Sequence, residues 1–173
     1  MTTHSITRLA LATIVAVVCA GCGSSDPLSP TAASTTGGGT PSDFQGQYSG
    51  TYRVNNCLAD GIFVGFCEAN SLGTGATLPI SLSLTQNQSA VSGTVLLGQV
   101  NGTFVGTVSG STLTGSAVMV DVTEQDITVS SNISTWNTTL SSSGLSGGFT
   151  VVFRVAGQTG SATMTTTIVQ LTH

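Results

Sequence analysis

Apolar side chains recur at every second position along much of this chain, and that period decides most of what it can fold into. Leu78, Ile80, Leu82 and Leu84 alternate with Pro79, Ser81, Ser83 and Thr85. Phe149, Val151, Phe153 and Val155 alternate with Thr150, Val152 and Arg154, and Met164, Thr166 and Ile168 continue the habit more weakly. Successive side chains of a strand point to opposite faces, so the pattern describes antiparallel strands with one apolar and one hydroxylated face. No stretch after residue 43 shows a convincing 3.6-residue apolar period, so the expected fold class is all-β.

An internal repeat sharpens the expectation. The run from Phe104 to Gly115 lines up with the run from Trp136 to Gly147, and Leu82 to Gly93 shares its second half. Each copy reads as strand, polar turn, strand, and hairpin following hairpin gives an up-and-down meander. Candidate strands lie near residues 45–54, 62–67, 78–86, 90–99, 103–109, 112–121, 127–140, 148–156 and 161–171. An open meander of that length leaves two exposed edges, and the chain has no lysine with which to blunt them. Closure into an eight- or nine-stranded barrel is therefore expected. Gly93, Gly115 and Gly147 fall on the same face as the Val or Leu two residues earlier, where they remove bulk and, on this reading, leave interior space.

Composition narrows the function classes. Only 6% of residues are charged while 39% are apolar, so the chain is neither disordered nor able to hold nucleic acid, which needs a basic stripe. Metal chemistry is not expected: Cys57 and Cys67 would need two further ligands, and His173 is the one histidine after residue 4. In an oxidising compartment this pair instead forms a disulfide closing a short loop. Asp121, Glu124 and Asp126 form the only acidic cluster, without the glycine turn or ligand spacing of a calcium loop, and read as a solvated connection. Serine is plentiful, but His173 at a terminus is a poor base, so no enzyme and no cofactor are expected.

The N-terminus gives an address. His4 and Arg8 precede an apolar run from Leu9 to Val18, closed by Cys19-Ala20-Gly21-Cys22. A charged start, a short apolar core and small residues make a secretory signal over residues 1–21, too short to span a bilayer as a helix. Its ending resembles a bacterial lipobox, with Cys19 where leucine is usual. The resemblance implies that Cys22 is lipidated and that this lipid is the membrane link. Gly23, rather than aspartate, follows it, which points to the outer membrane. Cutting there leaves Arg53 and Arg154 against seven acids, a formal net charge of −5. Residues 22–43 are rich in Ser, Thr, Gly and Pro and read as a flexible tether. Residues 44–173 form the folded domain.

Phe44 to Tyr52 (Phe-Gln-Gly-Gln-Tyr-Ser-Gly-Thr-Tyr) resembles the glycine–aromatic opening strand of lipocalin-like barrels. Gln88 to Val95 and Gly110 to Gly115 are similar to hairpins of avidin-like and other calycin barrels. The resemblance implies a barrel in which Tyr48 or Tyr52 packs under Arg154. A tyrosine stands in place of the calycin tryptophan, and no biotin-binding set can be placed. By strand parity Arg154 can equally point outward. Two functional expectations follow. In one, the barrel holds a small apolar ligand against Gly93, Phe104, Gly115, Trp136, Gly147 and Phe149, with Arg154 near a mouth. In the other, the interior is filled by its own side chains and the protein is a structural or adhesive envelope lipoprotein.

Overall fold

Nearly every stretch of alternating apolar and hydroxylated residues forms a strand in the computed structural model, which describes residues 41–173 except Gln125 and, at Glu124, the backbone alone. The expected signal sequence, Cys22 and most of the expected tether fall on residues 1–40, which lie outside the described residues. The strands are β1 (Gly46–Ala59), β2 (Thr77–Asn87), β3 (Ala90–Leu97), β4 (Val100–Ser109) and β5 (Thr112–Met119). They continue with β6 (Val122–Glu124), β7 (Ile127–Ser141), β8 (Gly144–Val155) and β9 (Ala162–Thr172). All pairings are antiparallel, and β9 returns to β1 from Ser49↔Thr172 to Ala59↔Ala162. The β5–β7 pairing, from Thr112↔Thr139 to Val118↔Asn132, closes a ring of eight. Among the described residues, closure leaves no long unpaired edge in a chain that lacks lysine.

The ninth strand, β6, pairs with Ile127–Val129 at the start of β7 and extends that ribbon past the barrel rim. One residue of β7, Ser134, is an extra that interrupts its register with β8 between Ile133 and Thr135. A bulge of this kind resets side-chain parity. Ile133 and Trp136, three residues apart, both face inward and are 1% and 2% exposed.

Besides the short strand β6, which lies within the acidic stretch read as a connection, two features depart from the sequence expectation. Residues 62–67 are not a strand: Gly61–Phe63 forms a 3₁₀ turn, and Phe66–Ala69 a single helical turn, α1. Gly61 and Gly65 take φ of +57° and +84°, which breaks any extended run, and Phe63 and Phe66 are spaced to share one face of a turn. Second, β1 runs on to Ala59, well past residue 54.

The barrel has two ends. The start of β1, the β2–β3, β4–β5 and β7–β8 hairpin turns and His173 lie at the end termed upper. The segment 60–76 and the β6–β7 hairpin lie at the lower end. A main apolar cluster runs through the barrel, and a smaller one of Phe63, Phe66, Val129 and Ala162 lies at the lower end. Leu72 and Phe153 touch both, so the two clusters are continuous.

Candidate functional site

Aromatic rings occupy the centre of the barrel. Trp136 stacks on Phe149 with centroids 5.1 Å apart and planes 10° apart, and Phe104 meets the indole edge-on at 5.5 Å. Tyr52 completes the group, edge-on to Phe149 at 5.0 Å. Such pairs add about 0.5–1.5 kcal/mol each beyond the area they bury. The indole N–H, which could not stay unpaired here, donates to the Thr138 hydroxyl at 2.9 Å, and Thr138 is itself buried.

Two inward glycines, Gly106 and Gly115, seat the Phe104 ring. A Cβ on Gly115 would lie 2.6 Å from Phe104 Cζ, and one on Gly106 3.0 Å from Phe104 Cε1. The two glycines face each other across β4 and β5, so the Phe104 ring lies on a bare patch of wall. A Cβ on Gly102 would overlap the Met119 sulfur, and one on Gly93 the Ser83 carbonyl. Interior space at Gly93 and Gly115 is thus taken by neighbouring side chains and backbone. Gly147 differs, since it is exposed and its φ of +134° suits glycine alone. Alternation records which face a glycine lies on; it does not record how far a ring from the next strand reaches across it.

Both mouths are covered. At the upper end, Ser42 N–H donates to the Gly110 carbonyl at 3.0 Å, and Phe44 N–H to Gln86 Oε1 at 2.8 Å. Gln86 Nε2 returns a bond to the Ser42 carbonyl at 3.1 Å, which brings residues 42–44 across the opening from β4–β5 to β2. Phe44 is fully buried and acts as a stopper. His173 sets its ring edge-on to Tyr48 at 4.8 Å, and its Nε2 lies 3.1 Å from the Gln45 carbonyl. At the lower end Phe63, Phe66 and Leu72 cover the opening, and Phe66 meets Phe153 at 5.1 Å. The Cys57–Cys67 disulfide expected from sequence is present and fastens this plug to β1. Backbone bonds hold its feet: Asp60 N–H donates to the Ser161 carbonyl, Val54 N–H to the Ala76 carbonyl, and Gly75 N–H to the Val54 carbonyl.

Arg154 is exposed on β8, paired with Ser130, and the rings of Tyr48 and Tyr52 pack on His173 and Phe149 instead. The outward alternative is the one realised. Burial pushes the Tyr52 phenol up to about 12 and also raises that of Tyr48, where the negative charge of Asp43 adds to the effect. Among the described residues, no three His, Cys, Asp or Glu side chains come together as a metal set.

Two concavities open on the outer wall, of ≈ 450 Å³ over β7–β8–β9 and ≈ 250 Å³ over β1–β2–β3. The larger is lined by outward Ser, Thr and Asn side chains and by the Gly147–Gly148 pair. Sequence reasoning placed two of its lining residues, Gly147 and Phe149, in the barrel interior and missed the rest, whose outward Ser, Thr and Asn positions look ordinary for a strand. The signal that could have shown it is the Gly147–Gly148 doublet beside three hydroxylated strands. Compared with protein families, curated proteins and solved structures, the chain matches none.

Proposed function

We propose that this protein is a lipid-anchored envelope protein without enzymatic activity, whose filled barrel works through its outer wall as a structural or adhesive module. The observation that supports this over an apolar ligand in the barrel is the interior itself. Trp136, Phe104, Phe149 and Tyr52 are 0–3% exposed and in mutual contact, with Phe44 and Phe63 buried behind the two mouths. An eight-stranded barrel sits at the size where side chains alone can fill it.

Geometry also supports an orientation. Residues 42–44 cross the upper mouth, so a tether leading back to Cys22 leaves from that end. The upper hairpins then face the membrane, and the plugged lower end faces away from it.

The test is native mass spectrometry of the protein isolated from the membranes of a bacterium that expresses it, beside the Cys22→Ser variant. Wild type should carry the mass of an acylated Cys22 chain and nothing else, and the variant should leave the membrane fraction. A stoichiometric apolar molecule retained by both forms would overturn the filled-barrel reading. Membrane retention of the variant would overturn the anchor.

A further inference from the structure

The wall over the larger concavity is built unlike the rest of the barrel. Strands β8 and β9 pair at Gly147↔Ile168 and resume at Thr150↔Thr165, skipping the two pairs between. In the gap the Thr166 hydroxyl takes the place of a ladder partner. It accepts from the Phe149 N–H at 3.2 Å and donates to the Phe149 carbonyl at 2.8 Å. Outside this seam Gly148 presents bare backbone, since any side chain there would overlap the Thr166 carbonyl. The result is a slot floored by backbone and flanked by Thr135, Asn137 and Thr139 on one side and Thr165 on the other, with Thr150 between.

The chemistry of the slot selects its occupant by elimination. No charged side chain lines it, so neither an anion nor a cation gains from it. Its outward groups are hydroxyls and one amide, which do not favour an apolar ligand. Strand addition fails too, because the strands under the slot lie inside the closed ring, β7 between β5 and β8, and β8 between β7 and β9. What remains is a neutral molecule dense in donors and acceptors. Outward residues along a strand are spaced by about 7 Å, so Thr135, Asn137 and Thr139 offer partners over about 14 Å, the reach of a short oligosaccharide.

We propose that this slot binds a neutral saccharide segment, with Asn137 and Thr150 as its central hydrogen-bonding side chains and exposed backbone at the Gly148 seam as its floor. The proposal rests on the outer-wall reading given above. An acidic glycan is disfavoured by the negative protein and the absence of any cation at the slot.

The experiment titrates the full chain, in a detergent without a sugar headgroup, with maltotetraose, cellotetraose and N-acetylated chitotetraose. A sulfated oligosaccharide serves as the charged control. Amide NMR shifts and the fluorescence of Trp136, the single tryptophan, report binding. Expected is saturable binding of at least one neutral probe, with shifts confined to residues 135–139, 147–150 and 165–167. Asn137→Val with Thr150→Val should weaken it about thirtyfold, as loss of two hydrogen bonds of about 1 kcal/mol each implies. No saturation by any neutral probe up to about 20 mM would overturn the proposal, given that this is weaker than about 2.3 kcal/mol of binding. So would shifts centred elsewhere, tighter binding of the sulfated control, or affinity unchanged in a variant whose spectrum shows it folded. These outcomes leave the filled interior untouched, whereas a ligand retained inside the barrel would strike at that reading and not at the slot.

Discussion

Reducing the Cys57–Cys67 disulfide should cost this protein stability in a graded and local way. The two cysteines are 10 residues apart, Cys57 near the end of β1 and Cys67 in α1, with Cα atoms 6.0 Å apart. Closing a ring of about 11 residues in the unfolded chain corresponds to about 2.8 kcal/mol at 25 °C. A domain of about 130 residues unfolds with an entropy of about 0.27 kcal/mol/K, so Tm should fall by about 10 °C. The barrel ladder does not pass through the bridge, and Phe63 and Phe66 keep their contacts with Phe153 and Val129 when it opens. The reduced protein should therefore remain a folded barrel whose plug opens more often. Calorimetry with and without reductant, repeated on the Cys57→Ala/Cys67→Ala chain, measures the first effect. Amide exchange measures the second: protection should drop across residues 61–72 and persist in β3, β4 and β5. A change in Tm under about 2 °C would refute the entropic argument. Loss of protection spread evenly over all strands would refute the plug as a separable unit.

Gly115→Ala should destabilise the fold by about 1–3 kcal/mol, since the new methyl meets the Phe104 ring and the Val105 carbonyl, and urea unfolding would measure it. A neutral result would mean that the wall beneath Phe104 has slack. Alkaline pH should act through Tyr52. Its phenol is raised by burial to about 12 in the folded state against about 10 unfolded, so the folded protein keeps a proton the unfolded chain releases. Stability is then full below about pH 10 and falls by about 2–3 kcal/mol as pH rises to 12, and Tyr52→Phe should abolish most of that slope.

The period-two pattern carried the fold because each strand buries one face, and closure followed from the absence of any device to protect edges. What alternation could not convey was length and interruption. The bulge at Ser134 turns β7 by one residue, visible in the sequence only as Ile133 and Trp136 standing three apart. The plug was misread as a strand because Ile62–Cys67 is apolar throughout, and the glycines at 61 and 65, not hydrophobicity, decide its path. The site was least legible of all. Gly93 and Gly115 read as space, yet a ring from the facing strand or a neighbouring carbonyl fills it, and such distances are set by packing across the barrel. Phe44 stood in plain sight at the domain start, but its role as stopper depends on Gln86, 42 residues away.

The claim on which the rest depends is that side chains alone fill the barrel. A crystal structure of the protein under xenon pressure tests it most directly, because xenon enters apolar cavities too small or too buried to show ordered water. The account predicts no xenon site inside the ring bounded by Trp136, Phe104, Phe149 and Tyr52. A xenon atom, or residual lipid-like density, beside the Trp136–Phe149 stack would contradict it.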